Sequence, residues 1–326
     1  MSIKKDISNI RVFSTENTEY FTREFIKQLG CKYVKVIHKV FGDGENYYRI
    51  DIEDRQELIG IDAIIISSAT SDKEFLEVFR VGCELASLGT RRRIFIFPFL
   101  GYSTMERAVK PGEIVSAKAN ARMLSAIPNC GLGNTFIFCD LHMNGIMQYF
   151  EGNCQCLELY AQEFLIEKIQ KHIIDKLSEG EEIIFGSADL GRPLWVESFA
   201  NKFGTSIAFI RKHRNFEDTK VVGTPIGEVK DKTVIIYDDM TRSGKTLINA
   251  AESYLASGAK KVIAVLSHFA LNNDTIIDEL SNSCLSLIIS TNSHPMSQHP
   301  KVKDNPKFVI ADITELFSKK IMNSFI

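Results

Sequence analysis

The chain has 326 residues, 44% hydrophobic and 25% charged, with 39 Lys plus Arg against 41 Asp plus Glu and a formal net charge of -2. That length suits about two domains, each able to bury its own core. The composition excludes disorder, and the balanced charge argues against a dedicated nucleic-acid binder while leaving room for a locally basic site for a small anion.

From the N-terminus, residues 9–13 read as a short β-rich apolar run, followed by a helix at 19–29 and a strand at 33–38. A strand at 63–67, a helix at 73–86, a strand at 93–97, a helix at 116–125 and a strand at 135–139 follow. A long helical stretch spans 157–177. Strands are then expected at 182–186, 206–210, 233–237, 261–266, 286–290 and 308–310, with helices at 194–203, 247–257 and 275–280. Several strands are continuous apolar runs, as in a parallel sheet covered by helices on both faces. The alternating order gives an α/β fold. The expected division is 1–158 and 159–326, with part of the last 30 residues packing on the first domain.

An internal repeat supports that division. Glu24-Phe25-Ile26-Lys27-Gln28-Leu29-Gly30 and Ser198-Phe199-Ala200-Asn201-Lys202-Phe203-Gly204 both read as a helix ending in Gly, at an offset of about 174. The strands that follow, at Val36 and Phe209, keep an offset of about 173. The block from Ala63 lies over that from Thr233, and Leu85-Ala86-Ser87 over Leu255-Ala256-Ser257, at about 170. The first copy ends its strand in Ser67-Ser68-Ala69, the second in Tyr237-Asp238-Asp239. Open α/β sheets bind ligands beyond the carboxyl ends of their strands, so the acidic end marks the second copy as the site.

No stretch approaches about 18 uninterrupted apolar residues, so no bilayer span is expected. The start, Met1-Ser2-Ile3-Lys4-Lys5-Asp6, leads into polar sequence rather than a signal core. Seven cysteines, Cys31, Cys83, Cys130, Cys139, Cys154, Cys156 and Cys284, make an odd set, and Cys154 and Cys156 stand too close for the usual zinc spacing. Reduced thiols in a cytoplasmic protein are expected.

The segment from Thr233 to Leu247 carries the most chemistry. A buried strand runs into Asp238 and Asp239, then a loop of small and basic residues, then a helix. Thr241–Thr246 can aim backbone N–H groups at a phosphate, with hydroxyls from Ser243 and Thr246. Carboxylates repel phosphate but accept from vicinal sugar hydroxyls. Donor cradle and acceptor pair together describe a sugar phosphate. A P-loop would need Gly five positions before Gly244, where Asp239 stands. The plain alternative is a capped helix after an acidic turn.

These residues resemble the ribose 5-phosphate loop shared by phosphoribosyltransferases and ribose-phosphate pyrophosphokinases (PRPP synthetases). The loop alone fits both classes. Phe138-Cys139-Asp140-Leu141-His142, Ser187-Ala188-Asp189-Leu190-Gly191, Lys212-His213-Arg214, Ser116-Ala117-Lys118 and Gly258-Ala259-Lys260 resemble pyrophosphokinase motifs, in order. Thr104 stands where many members carry an ATP-holding Arg, and Arg242 and Lys245 depart from the usual loop. Thr104-Met105-Glu106-Arg107 with Phe41-Gly42-Asp43-Gly44 is more similar to the plant class II enzymes.

The resemblance implies two phosphoribosyltransferase-like α/β domains, the first on the ATP side and in oligomer contacts, the second holding ribose 5-phosphate. It implies diphosphoryl transfer from ATP with Mg²⁺. Lys212 and Arg214 become the catalytic cations; on an extended segment, residues two apart face one side. The ribose 5-phosphate set is Asp238, Asp239, Thr241, Arg242, Ser243, Gly244, Lys245 and Thr246. Phe41, Asp43, Glu45, Thr104, Glu106, Arg107 and His142 fall to ATP, and His142 and Asp189 to the metal. The 41–45 loop implies a homo-oligomer with ATP sites shared between subunits, and neither nucleic acid nor membrane is an expected partner. A phosphoribosyltransferase and a non-catalytic paralogue are the alternatives.

Overall fold

A computed structural model describes residues 7–188, 193–212 and 223–325, with the backbone alone at 211, 212, 223 and 224. The chain divides into two compact units, residues 1–160 with 314–326, and residues 161–313.

The first unit begins with β1 (Ile10–Ser14), α1 (Glu19–Leu29), β2 (Lys32–Tyr33), β3 (Val36–Val40) and β4 (Asn46–Ile50). It continues through β5 (Asp62–Ile66), α2 (Asp72–Ser87), β6 (Arg92–Phe97), α3 (Ser116–Ser125), β7 (Asn134–Cys139) and β8 (Gln155–Leu159). Its sheet runs β2-β1-β5-β6-β7-β8, every pair parallel. Ala63, Ile65, Phe95, Phe97, Phe136 and Phe138 pack in one core, with Phe95 stacked on Phe136 at 4.8 Å between ring centroids. The alternate residues Ile64, Ile66, Ile94, Ile96 and Ile137 are buried as well, so both faces are covered. That burial is why these strands read as unbroken apolar runs. Strands β3 and β4 pair antiparallel as a separate hairpin.

The second unit holds α4 (Gln162–His172), β9 (Ile183–Ser187), α5 (Pro193–Phe203), β10 (Ile207–Lys212), β11 (Gly223–Ile226) and β12 (Thr233–Met240). After these come α6 (Lys245–Ala256), β13 (Lys261–His268), α7 (Thr275–Ser281), β14 (Leu287–Thr291), α8 (Pro300–Lys303) and β15 (Phe308–Ala311). Its sheet runs β11-β10-β9-β12-β13-β14-β15, parallel except for β10 with β11. Removing the edge strand β11 leaves the strand order of the first sheet. Helix α9 (Thr314–Ser324) returns to the first unit, where Phe317 meets Phe21 of α1 edge-on at 5.7 Å and Gln28 bonds Thr314 and Ser318.

Two expectations are corrected. Residues 155–159 form β8 along β7, and the helix expected from 157 starts at Gln162. Cys156, Leu157 and Leu159 suit either state, and a free parallel edge on β7 decides for strand. The strand expected at 33–38 is broken into β2, in the main sheet, and β3, in the hairpin.

Candidate functional site

Strand β12 lies between β9 and β13 in the sheet of the second unit. Ile235 and Tyr237 pack into the core on one face, and Val234 and Ile236 into the core on the other. Burial on both sides fixes the register, so the carboxylates emerge at the carboxyl end of the strand. Asp239 is 4% exposed and Asp238 half-buried, and Asp238 Oδ1 accepts the Asp239 N–H at 2.9 Å. The loop then turns at Gly244, whose φ of 71° favours glycine. A Cβ there would also meet Leu280 Cδ2 at 3.1 Å. Thr241 is buried, and its Oγ1 accepts the Gly244 N–H at 3.2 Å. Arg242, Lys245 and Thr246 are exposed and Ser243 is half-buried.

Helix α6 starts directly after Gly244, so its first N–H groups lack intrahelical acceptors and its positive dipole end faces the loop. The helix is pinned by Tyr254, whose buried hydroxyl donates to Ser187 O at 3.0 Å and lies 3.2 Å from Ala208 O. Gly186 makes room for it, since a Cβ there would be 2.8 Å from that hydroxyl. The eight residues expected to hold ribose 5-phosphate thus share one strand end, turn and helix start, with Asp239 and Thr241 buried and Arg242, Lys245 and Thr246 exposed.

The corresponding turn of the first unit is closed by its own side chain. At the start of α2, Glu74 Oε2 accepts from Thr70 N at 2.7 Å, Thr70 Oγ1 at 2.5 Å and Ser71 N at 3.2 Å. Its other oxygen accepts from Asn17 Nδ2. A carboxylate therefore fills the donor cradle that an external anion would need. In α6 the same third helical position is Leu247, which is buried and apolar.

The residues expected to serve ATP lie in the first unit. Phe41, Asp43 and Glu45 occupy the turn between β3 and β4 and are exposed. The turn is closed by Phe41 N to Glu45 O at 2.8 Å and Gly44 N to Phe41 O at 2.9 Å. Thr104 is half-buried in a tight loop beginning at Gly101, where a Cβ would lie 2.3 Å from Ala69 O. Glu106 is largely buried, its carbonyl accepts from Tyr149 at 2.6 Å, and its carboxylate faces the exposed Arg107 at 3.5 Å. His142 is half-buried just beyond β7, after Asp140, which takes a φ of 42°.

Lys212 ends β10, opposite Gly223 of β11. Arg214 and Asp189 lie outside the described residues, as does the side chain of Lys212. Among the described residues, no group of three or more His, Cys, Asp or Glu side chains is placed to hold a metal ion. The same residues contain no helix long and apolar enough to cross a membrane.

Sequence reasoning missed a buried polar group beside the loop. His268 Nδ1 and Ser293 Oγ share a hydrogen bond at 2.8 Å, and His294 Nδ1 accepts from Met296 N at 3.2 Å. Burial lowers the His294 pKa to about 3, helped by His268 and Arg242. His268 ends an apolar strand, where a polar residue reads as a simple boundary.

Residues 10–127 match the family model described as the N-terminal domain of ribose phosphate pyrophosphokinase, and residues 156–295 that of the phosphoribosyl transferase domain. A ribose-phosphate pyrophosphokinase of Sulfolobus acidocaldarius is 28% identical over 308 residues, covering 93% of this chain and 97% of the relative. One of Fusobacterium nucleatum is 27% identical over 321 residues, covering 97% and 95%. The crystal structure of phosphoribosylpyrophosphate synthetase from Mycobacterium smegmatis is similar with a TM-score of 0.83 and 25% identity, over 98% of this chain and 99% of that one.

Proposed function

The chain belongs to the ribose-phosphate pyrophosphokinase family, and on that premise we infer that it moves the diphosphoryl group of ATP to the 1-hydroxyl of ribose 5-phosphate. The products are 5-phosphoribosyl 1-diphosphate (PRPP), for nucleotide and cofactor synthesis, and AMP. The observation that carries the reading is the β12–α6 turn, with an acidic strand end behind a phosphate-type cradle, in a chain matched along nearly its whole length by relatives of this name.

A bond forms between the sugar O1 and the β-phosphorus, and the bond from that phosphorus to the α-phosphate oxygen breaks. Charge builds on the transferring phosphoryl oxygens, so catalysis is mainly positioning and electrostatic stabilisation. In this reading Asp238 and Asp239 accept from the ribose hydroxyls. Thr241, Ser243, Thr246 and the N–H groups around Gly244 hold the 5-phosphate, with charge from Arg242 and Lys245. Lys212 and Arg214 neutralise the polyphosphate. Phe41 stacks on the adenine, Asp43 and Glu45 accept from its amino group, and Thr104, Glu106, Arg107 and His142 complete the ATP side. Mg²⁺, when bound, would offset the phosphate charge. The oxygen donors of ATP and of a carboxylate suit Mg²⁺, which keeps several of its waters. His142 and Asp189 are its assigned protein contacts. Subunits share the ATP sites in a homo-oligomer, and the setting is cytoplasmic.

Asp239→Asn tests the sugar site. Hydrogen bonds to charged groups contribute about 1.5–3 kcal/mol, so the KM for ribose 5-phosphate should rise about tenfold or more. The KM for ATP should stay within about twofold. An unchanged ribose 5-phosphate KM would remove Asp239 from the site.

A further inference from the structure

We propose that His268 and Ser293 are positioning residues for ribose 5-phosphate: their buried imidazole–hydroxyl bond holds the end of β13, and β13 holds the phosphate loop. The inference rests on the reading of the β12–α6 turn as the sugar-phosphate site.

Main-chain bonds tie the loop to β13 and the segment after it. Thr241 N donates to His268 O at 3.3 Å, and Asn272 N donates to Arg242 O at 3.1 Å. In the sheet, Met240 lies opposite His268. The His268 carbonyl therefore sets where Thr241 sits, and the Asn272 amide where Arg242 sits. The His268 ring and the preceding Ser267 carbonyl are held by side chains from β14 and the residues beyond it. His268 Nδ1 lies 2.8 Å from Ser293 Oγ, and the Ser293 hydroxyl also reaches Ser267 O at 3.4 Å. Thr291 Oγ1 donates to Ser267 O at 2.6 Å and accepts from Ser293 N at 3.2 Å. Tyr237 of β12 closes the chain, with its hydroxyl 2.9 Å from Ser267 Oγ.

Each of these side chains is buried: His268 is 2% exposed, Tyr237 1%, and Ser267, Thr291 and Ser293 0%. Buried polar groups cost stability unless bonded, and apolar residues would fill the same volume without that cost. What a directional network adds is a single geometry for the strand end. His294, next in sequence to Ser293, is kept uncharged by burial and by its neighbours His268 and Arg242.

The test compares steady-state KM values for both substrates in wild type, His268→Leu, His268→Asn, Ser293→Ala and the double variant His268→Leu/Ser293→Ala. Leu removes the bond, whereas Asn returns a polar group near the position of Nδ1. The expected result is a ribose 5-phosphate KM raised about tenfold in His268→Leu and Ser293→Ala, as for a lost hydrogen bond of about 1.4 kcal/mol, with the ATP KM within twofold. Asn should restore most of the loss, and the double variant should be no worse than the worse single one. Equal rises in both KM values, additive losses, or no rescue by Asn would overturn the proposal. Ser293→Ala decides alone if His268→Leu does not fold. Wild type run alongside separates the two readings. Absence of ribose 5-phosphate-dependent AMP there would sink the functional reading, whereas activity with an unmoved KM in the variants sinks only the positioning role.

Discussion

Glu77 sits on α2 with 4% exposure, and burial raises its carboxyl pKa from 4.5 to about 7, against Lys73 and with Glu74 and Glu16. The folded state therefore binds this proton more tightly than the unfolded chain. Its contribution to stability is complete below the unfolded value near 4.5 and is lost as pH rises through about 7. The shift corresponds to about 3 kcal/mol as an upper bound. Glu77→Gln should accordingly unfold at higher urea than wild type at pH 8, with the gap closing toward pH 4.5. A gap that ignores pH would show that the residue is not titrating in the fold. Arg93 solves burial differently. It is 0% exposed and bonds Asn134 Oδ1, Thr90 O, Thr90 Oγ1, Cys130 O and Gly133 O, all uncharged acceptors. Its neighbours Arg91 and Arg92 pair with Asp62 at 2.6 and 3.4 Å. In the sequence the three arginines look alike, because side-chain burial at a strand start depends on loops that arrive from elsewhere. Asp238 and Asp239 stand out in the sequence because two carboxylates end an otherwise apolar strand.

Helices α2 and α6 take the same place after β5 and β12, and their third residues differ. Glu74 closes the first turn from within, whereas Leu247 at the same position of α6 is buried and apolar. Loss of a helix cap costs about 1–2 kcal/mol, so Glu74→Ala should lower the stability of the first unit by that amount. Amide exchange along α2 would measure it, and unchanged protection at Thr70 and Ser71 would contradict the self-capping role. Elements with strong periodicity and clear ends were legible: α1 and α3 fall at 19–29 and 116–125, as their sequence pattern requires. Strand β8 was not, since its register depends on β7. The hairpin strand β4, Asn46-Tyr47-Tyr48-Arg49-Ile50, has one buried apolar residue, Ile50, to signal it, and α9 gains its place from packing on α1.

The whole chain is one α/β plan used twice, β2-β1-β5-β6-β7-β8 and β10-β9-β12-β13-β14-β15, with an added hairpin in the first copy and an added edge strand in the second. The repeat near 170–174 residues was visible in sequence because matching helices end in Gly30 and Gly204, both at positive φ. A net charge of -2 conceals a local separation, with Arg242 and Lys245 exposed in a turn that follows the half-buried Asp238 and the buried Asp239. The bonds around His268 could not be read in advance, because they join residues distant in sequence, whereas Ser71 and Glu74 stand at the spacing of a capping box. The account stands most directly on release of AMP from ATP and Mg²⁺ by the purified protein, with and without ribose 5-phosphate. It predicts AMP that depends on ribose 5-phosphate and matches PRPP one to one; no such AMP, or equal release without the sugar phosphate, would contradict it.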